Sequence, residues 1–417
     1  MQKPLMQISN RVSNIPPALS IFINELVYSQ KRKGRDIITL SLGEAFFDIP
    51  MFDFNQLDAD KCYHYSESNG IPELRMKISE FYKKQYNGEI NYQNEILITA
   101  GSKPAIYMAM QAVLNNGDEV LIHEPAWLSY QEHARLLDVS PKFIPYDCKI
   151  EDFHKYFTNK TRMVIINNPN NPAGWIYNKE QLLSIYQQCR SRGIYVLVDE
   201  AYSDFLLDEH FYSMINLVPD KDGIIVVNSL SKNMGMSGWR VGYVISSSEI
   251  ISNIQKLNQH LITCAPTILQ HYLARYFDEI IEITLPQASE VVRKRQRVSK
   301  YMDQIGLERL PGTSTFYFFV HIGNFKGSSM DFCLYLLFKY GVAAVPGSAY
   351  GSSTERFIRL SFGTESEERI HHALVLIKDL ISQNYCDIEY INKNLKTNGF
   401  NRFEETYAKA EPIGVTK

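Results

Sequence analysis

The sequence has little of what marks secreted, membrane-bound or nucleic-acid-binding chains. Its six cysteines (Cys62, Cys148, Cys189, Cys264, Cys333 and Cys386) are scattered without a C-x-x-C pair, so neither a disulfide framework nor a metal site is expected. No apolar run approaches the roughly 20 residues that span a bilayer, and the first residues carry no apolar segment followed by a cleavage site. No membrane association and a cytoplasmic location are therefore expected. Charge of one sign is missing too: 43 Lys and Arg stand against 46 Asp and Glu, a formal net charge of -3. Such a balance does not hold a chain on nucleic acid. Fixed-period repeats and low-complexity tracts are absent. A small-molecule partner is what these absences leave.

What is present is ample core material. The chain has 417 residues, 45% hydrophobic and 21% charged, which suits two or three compact units. Between residues 95 and 245, short β-rich runs (95–99, 119–122, 163–166, 195–198 and 224–227) alternate with helical patterns such as 105–114 and 179–192. Four or five aliphatic residues per run, separated by helices, predict an α/β fold with a mostly parallel central sheet covered on both faces. The expected large domain spans residues 50–290. Residues 1–49 and 291–382, with strands near 315–320 and 357–361 and a helix over 365–381, are expected to form a smaller α+β domain. The stretch 383–417, rich in Asn, Lys and Tyr with weak periodicity, reads as an extension of unassigned role. The basic cluster Arg293-Lys294-Arg295-Gln296-Arg297 reads as a solvated helix face.

Ligands of such sheets bind beyond the carboxyl ends of the strands, and the polar residues there are the unusual ones: Gly101-Ser102-Lys103, Asn167-Asn168-Pro169, Asp199-Glu200 and Ser229-Leu230-Ser231-Lys232. They are expected to converge on one site. Lys232 would stand at the end of a buried strand, with Arg240 eight residues on.

The segment from Ser229 to Arg240 resembles the lysine motif of the class I/II aminotransferases, pyridoxal 5'-phosphate (PLP) enzymes of fold type I. Asn168-Pro169-Asn170-Asn171-Pro172-Ala173-Gly174 resembles that family's N-P-x-N-P-T-G motif with Ala173 in place of Thr, and Asp199-Glu200-Ala201-Tyr202 resembles its D-E-x-Y motif. With Arg359 these motifs come in the family's order over most of the chain. The resemblance implies a PLP-dependent aminotransferase, a homodimer with shared active sites, that moves an amino group from an amino acid to a 2-oxo acid by a ping-pong mechanism.

It also implies roles. Lys232 would be the Schiff-base lysine, and Asp199 would keep the pyridine nitrogen protonated. Asn171 and Tyr202 would hydrogen-bond the ring oxygen, and Trp127 would stack on the ring. Ser102, Lys103, Ser229, Ser231 and Arg240 would hold the phosphate, joined by Tyr65 from the neighbouring subunit. Arg359 would bind the substrate carboxylate through its planar fork, and Gly43 would leave room for the substrate. The family reads P-D-F where this chain has Ala45-Phe46-Phe47, so that edge is altered. Pro125 and Pro172 sit where cis peptide bonds are common in the family. Lys103 matches a lysine that aspartate-using relatives place near the distal carboxylate, whereas Pro17-Ala18-Leu19-Ser20 lacks their hydroxyl pattern and Phe46, Phe47, Tyr317 and Phe318 suit an uncharged side chain. Other outcomes of the same chemistry, β-elimination as in C-S lyases, ring closure or amino-acid oxidation, share this constellation. A PLP-binding module of a transcription regulator would need a basic helix-turn-helix, and none precedes residue 40.

Overall fold

The structure, a computed structural model, describes residues 8–401 except 14 and 208. The remaining residues, among them 402–417 of the expected extension, lie outside the described residues. A seven-stranded sheet forms the larger unit: β1 (Ile96–Thr99), β2 (Glu119–His123), β3 (Ser140–Ile144), β4 (Thr161–Asn167), β5 (Tyr195–Asp199), β6 (Ile224–Ser229) and β7 (Gly242–Ser246). Their order is β1-β7-β6-β5-β4-β2-β3. Only β7 opposes its neighbours; the pairs from β6 through β3 are parallel.

The period of two in each strand divides its aliphatic residues between two cores. Val196 and Val198 pack with Val164, Ile166, Ile224 and Val226 on one face, while Leu197 packs with Met163, Ile165, Ile225 and Val227 on the other. Each such side chain contributes about 1.5–3 kcal/mol on leaving water. The sequence did not single out β3 or β7. The former is an edge strand, Ser-Pro-Lys-Phe-Ile, half solvated and carrying a proline that only an edge tolerates; the latter opens on a glycine.

A second, three-stranded antiparallel sheet combines β8 (Tyr317–His321), β9 (Val345–Pro346) and β10 (Phe357–Ser361) in the order β9-β10-β8. The N-terminal segment joins it. Ile38–Thr39 pairs in parallel with Val342–Ala343, and the Ser361 amide donates to the Leu40 carbonyl at 2.7 Å. Helix α1 (Leu19–Arg32) buries Phe22, Ile23, Leu26 and Val27 in the same core. Helix α2 (Ser102–Val113) follows β1 directly. The long α3 (Thr267–Gln304) runs from the large sheet to the small one and bends at Tyr276, where φ -108° and ψ 19° leave the helical range.

Two expectations change here. The chain beyond residue 383 does not stay an undefined extension: after α4 (Glu367–Gln383) comes α5 (Ile388–Thr397), with Ile391 and Leu395 buried in the small-unit core. Only those two residues of α5 are buried, so its periodicity is faint. In the basic cluster, Arg293 and Arg297 do face solvent and pair with Glu290, but Arg295 turns inward and is 2% exposed. Among the described residues no helix is long and apolar enough to cross a membrane, and no group of three His, Cys, Asp or Glu could hold a metal ion.

Candidate active site

The carboxyl ends of β1, β4, β5 and β6 open into a cavity of about 550 Å³ between the two sheets. Gly43, Arg359 and every residue expected to hold the cofactor line it except Tyr65, which is 85% exposed and stands outside. Ser229 ends β6 and caps the single turn Leu230–Asn233, its side chain accepting from the Ser231 amide at 3.0 Å. That turn lifts Lys232 to the cavity floor. Its Nζ donates to the Gly43 carbonyl at 2.6 Å and stands 5.7 Å from the Tyr202 ring centre. Burial pushes the amine down to about 8, with Glu44 and Asp199 pulling up and Arg359 pressing down.

Asp199 ends β5. Its carboxylate accepts from the Tyr130 hydroxyl at 2.6 Å and the Ala201 amide at 3.1 Å. Burial raises its pKa against those two bonds, so a cation beside it would be needed to hold the full charge cheaply. The Asn167 side chain at the end of β4 ties this strand end to the next loop: Nδ2 donates to the Asp199 carbonyl at 2.8 Å and Oδ1 accepts from the Asn171 amide at 2.6 Å. Asn171 Nδ2 donates to the Tyr202 hydroxyl at 3.3 Å, and the Tyr202 and Tyr317 hydroxyls are 2.9 Å apart. Burial lifts Tyr202 well above the usual phenol range. Asn171 Oδ1 is buried without a partner. Three X-Pro bonds around these loops are cis: Glu124-Pro125, Asn171-Pro172 and, additionally, Asn168-Pro169.

On the opposite side the backbone forms a donor-rich corner. Gly101, at φ 89°, turns the chain from β1 into α2, leaving the first amides of that helix free to meet an anion. Gly242 faces that turn, and a Cβ there would stand 2.7 Å from the Ser102 amide nitrogen. Arg240 lies exposed over Gly101, with one nitrogen donating to the Ser237 carbonyl at 2.7 Å. Lys103 Nζ stands 5.3 Å from the Trp127 ring centre. The residue as a whole is exposed, but protein crowding round its amine lowers the pKa, and Arg240 lowers it further.

Arg359 comes from the small sheet and is 4% exposed. It donates to the Ser41 carbonyl at 2.6 Å and lies against the Tyr317 ring at 4.7 Å, yet its Nε is buried without a partner. Among the described residues it forms no ion pair with a carboxylate. A buried cation left in this state favours a bound anion. Gly43 sits beside it, where a Cβ would come 3.1 Å from the Tyr317 hydroxyl.

The aromatic residues expected at the mouth separate. Tyr317 lines the cavity, Phe46 is 67% exposed, Phe47 stacks on Phe205, and Phe318 lies beneath Arg295. Sequence reasoning assigned no role to Tyr130, Asn167 or Glu44, whose carboxylate takes the Ser237 hydroxyl. Tyr130 lies one turn after Trp127, yet no local pattern marks it for its contact with Asp199. Glu124 was also passed over: wholly buried, it accepts from the amides and hydroxyls of Ser352 and Ser353, tying the loop before Trp127 to the small unit.

Residues 36–377 match the family model described as aminotransferase class I and II. The chain is 34% identical over 381 residues to the (5-formylfuran-3-yl)methyl phosphate transaminase of Methanocaldococcus jannaschii, covering 90% of this chain and all of that protein. An aspartate aminotransferase of Thermotoga maritima is 30% identical, with 90% of this chain and 99% of the relative covered. Among solved structures, the aspartate aminotransferase of Thermus thermophilus with maleate superposes with a TM-score of 0.81 at 25% identity, over 91% of this chain and all of that one. The chain belongs to the class I and II aminotransferases. It is an α/β enzyme of the transaminase type.

Proposed function

We propose that this enzyme holds pyridoxal 5'-phosphate on Lys232 and moves the amino group of an L-amino acid to a 2-oxo acid in two half-reactions of ping-pong form. The observation that carries the reading is the meeting, in one cavity, of a buried amine pushed down to about 8, a carboxylate with raised pKa and an arginine with an unpartnered buried Nε. The residues fit the cofactor. Arg359 Nε lacks a partner until an anion is bound, and the absence of a Cβ at Gly101 and Gly242 lets the Arg240 guanidinium and the Ser102 amide close on one corner that suits a phosphate.

When bound, PLP supplies an electron sink for the substrate carbon that loses its proton. The rest falls to this chain. Asp199 would face the ring nitrogen and keep it protonated. Asn171 and Tyr202 would donate to the ring oxygen, and Trp127 would cover one ring face. Ser102, Lys103, Ser229, Ser231 and Arg240 hold the phosphate, and Tyr65, exposed on its own subunit, reaches the phosphate of its neighbour in a homodimer. Arg359 takes the substrate α-carboxylate beside Gly43. Lys232 Nζ, freed when the substrate amine takes its place, would draw the α-proton off the substrate carbon and, in the second half, put a proton back on the α-carbon of the incoming oxo acid. Burial serves that task, because an amine near 8 is partly unprotonated at neutral pH.

Lys103 at the rim supports a donor with a second carboxylate, in line with the relatives named aspartate aminotransferases. The test is to load the protein with PLP, add one amino acid at a time without oxo acid, and follow the visible absorbance. Bleaching by a given amino acid, restored by a 2-oxo acid, is the expected result, fastest with aspartate or glutamate. Absorbance that never bleaches, or release of ammonia, would point to elimination or oxidation instead.

A further inference from the structure

The least expected residue in the fold is Arg295. It projects from α3 into the seam between the two units, 2% exposed, with no carboxylate in ion-pair range among the described residues. Its donors go to backbone instead: Nε to the Tyr317 carbonyl at 3.2 Å, Nη2 to the Ala173 carbonyl at 3.3 Å, and Nη1 to the Gly312 carbonyl. The guanidinium lies 4.4 Å from the Phe318 ring centre. Burying a cation against carbonyl dipoles alone is costly, so a methionine would fill the space more cheaply if packing were all that mattered.

The three carbonyls belong to two loops that meet backbone to backbone. The Thr313 and Ser314 amides donate to the Gly174 carbonyl at 2.9 and 3.0 Å, and a Cβ on Gly312 would stand 2.6 Å from the Gly174 carbonyl carbon. One loop carries Asn171. The other enters β8 and carries Tyr317, after Thr315 at φ 65°. Between them stands the Tyr202 hydroxyl, 3.3 Å from Asn171 Nδ2 and 2.9 Å from the Tyr317 hydroxyl. The spacing of the two loops therefore sets the hydrogen bonds of Tyr202.

We propose that Arg295 is a positioning residue for transamination: by gripping the carbonyls of Ala173, Gly312 and Tyr317, it fixes Asn171 and Tyr317 on either side of the Tyr202 hydroxyl. A single ammonium does not span three carbonyls as the planar fork does. The other titratable or charged groups facing Tyr202 are Tyr130, Lys232, Asp199 and Arg359, none of which Arg295 contacts.

The test compares Arg295→Met, Arg295→Lys and, as a packing control, Phe318→Leu in the full-length PLP-loaded enzyme. For Arg295→Met, kcat is expected to fall about 10- to 100-fold, the scale of a misplacement near 1 Å, with KM for the amino acid within about threefold because Arg359 is untouched. The pH midpoint of the visible absorbance should shift by about half a unit or more. Arg295→Lys should fall between wild type and Arg295→Met. In the cofactor-free protein, amide hydrogen exchange in residues 170–174 and 311–317 should quicken in Arg295→Met and not in Phe318→Leu. A lowered melting temperature with unchanged kcat and pH midpoint in both arginine variants would reduce Arg295 to a structural staple. Equal kcat loss in Phe318→Leu would overturn the proposal as well. If Arg295→Met does not fold, Arg295→Lys with the same readouts decides.

Discussion

The floor and the rim of the cavity are built in opposite ways. On the floor, Asp199, Asn171 and Tyr202 sit at or just beyond strand ends and Tyr130 on the helix Ser129–Leu136; all four are buried and bond mainly to one another and to backbone. At the rim, Lys103, Arg240 and Gly238 are exposed, and the two cations face a corner of free amides with few partners of their own. The floor is held in place by the sheet and would need little change on binding, whereas the rim would be completed by an anion. A change on the floor should act on the rate of the chemical step. At the rim it should act on what is bound.

Four experiments would sharpen or break that contrast. The largest effect is expected from Lys232→Ala, which removes the group proposed to carry the proton. Steady-state turnover should drop by about 10⁴-fold or more, at the upper end for loss of a general acid-base group. Measurable turnover within tenfold of wild type would show that the floor is not where the chemistry is done. Next, Arg359→Lys keeps the charge and loses the planar fork. KM for the amino acid should rise about 10- to 100-fold with kcat less affected; an equal loss in both would place Arg359 with the floor.

Smaller in scale is Gly242→Ala, where the new Cβ would meet the Ser102 amide nitrogen at 2.7 Å. PLP affinity, read by equilibrium dialysis, should weaken about tenfold, which is about 1.4 kcal/mol of lost binding, while kcat at saturating cofactor stays near wild type. The smallest effect concerns the charge on Lys232 in the cofactor-free protein. Its pKa is 10.5 in the open chain and about 8 in the fold, so between those values the unfolded state binds more protons. The cost of the buried charge is full below pH 8 and fades as pH rises toward 10.5. Lys232→Met should therefore raise the melting temperature at pH 7 by a few degrees, at roughly 2 °C per kcal/mol, and the gain should shrink by pH 10. A gain independent of pH would mean that the amine is not held against its charge.

The same contrast explains what the sequence disclosed. Five strands of the large sheet were legible because strands buried on both faces are unbroken aliphatic runs, and the site followed because polar residues directly after such runs stand at one edge. Tyr65 was expected at the site only through resemblance, and nothing in its own chain brings it to the cavity. Arg295 was misread because a helix-period pattern assigns a charged residue to the wet face; its true partners are carbonyls, which leave no mark in sequence. Tyr130 and Glu124 stayed hidden for a related reason. Each is defined by one contact across the fold, with Asp199 and with residues 352–353, rather than by any local pattern.

The reversed strand β7 gives the molecule a built-in ruler. Its amino end lies at the same edge as the carboxyl end of β6, Gly242 pairing with Ser229 on one side and Thr99 on the other. One short excursion of chain, residues 230–241, therefore delivers both Lys232 and Arg240 and returns to the sheet. The span between Lys232 and Arg240 is thus metered by a single stretch with both ends clamped. A residue inserted there would detune that span, while insertions in loops at the far edge of the sheet would leave it unaltered.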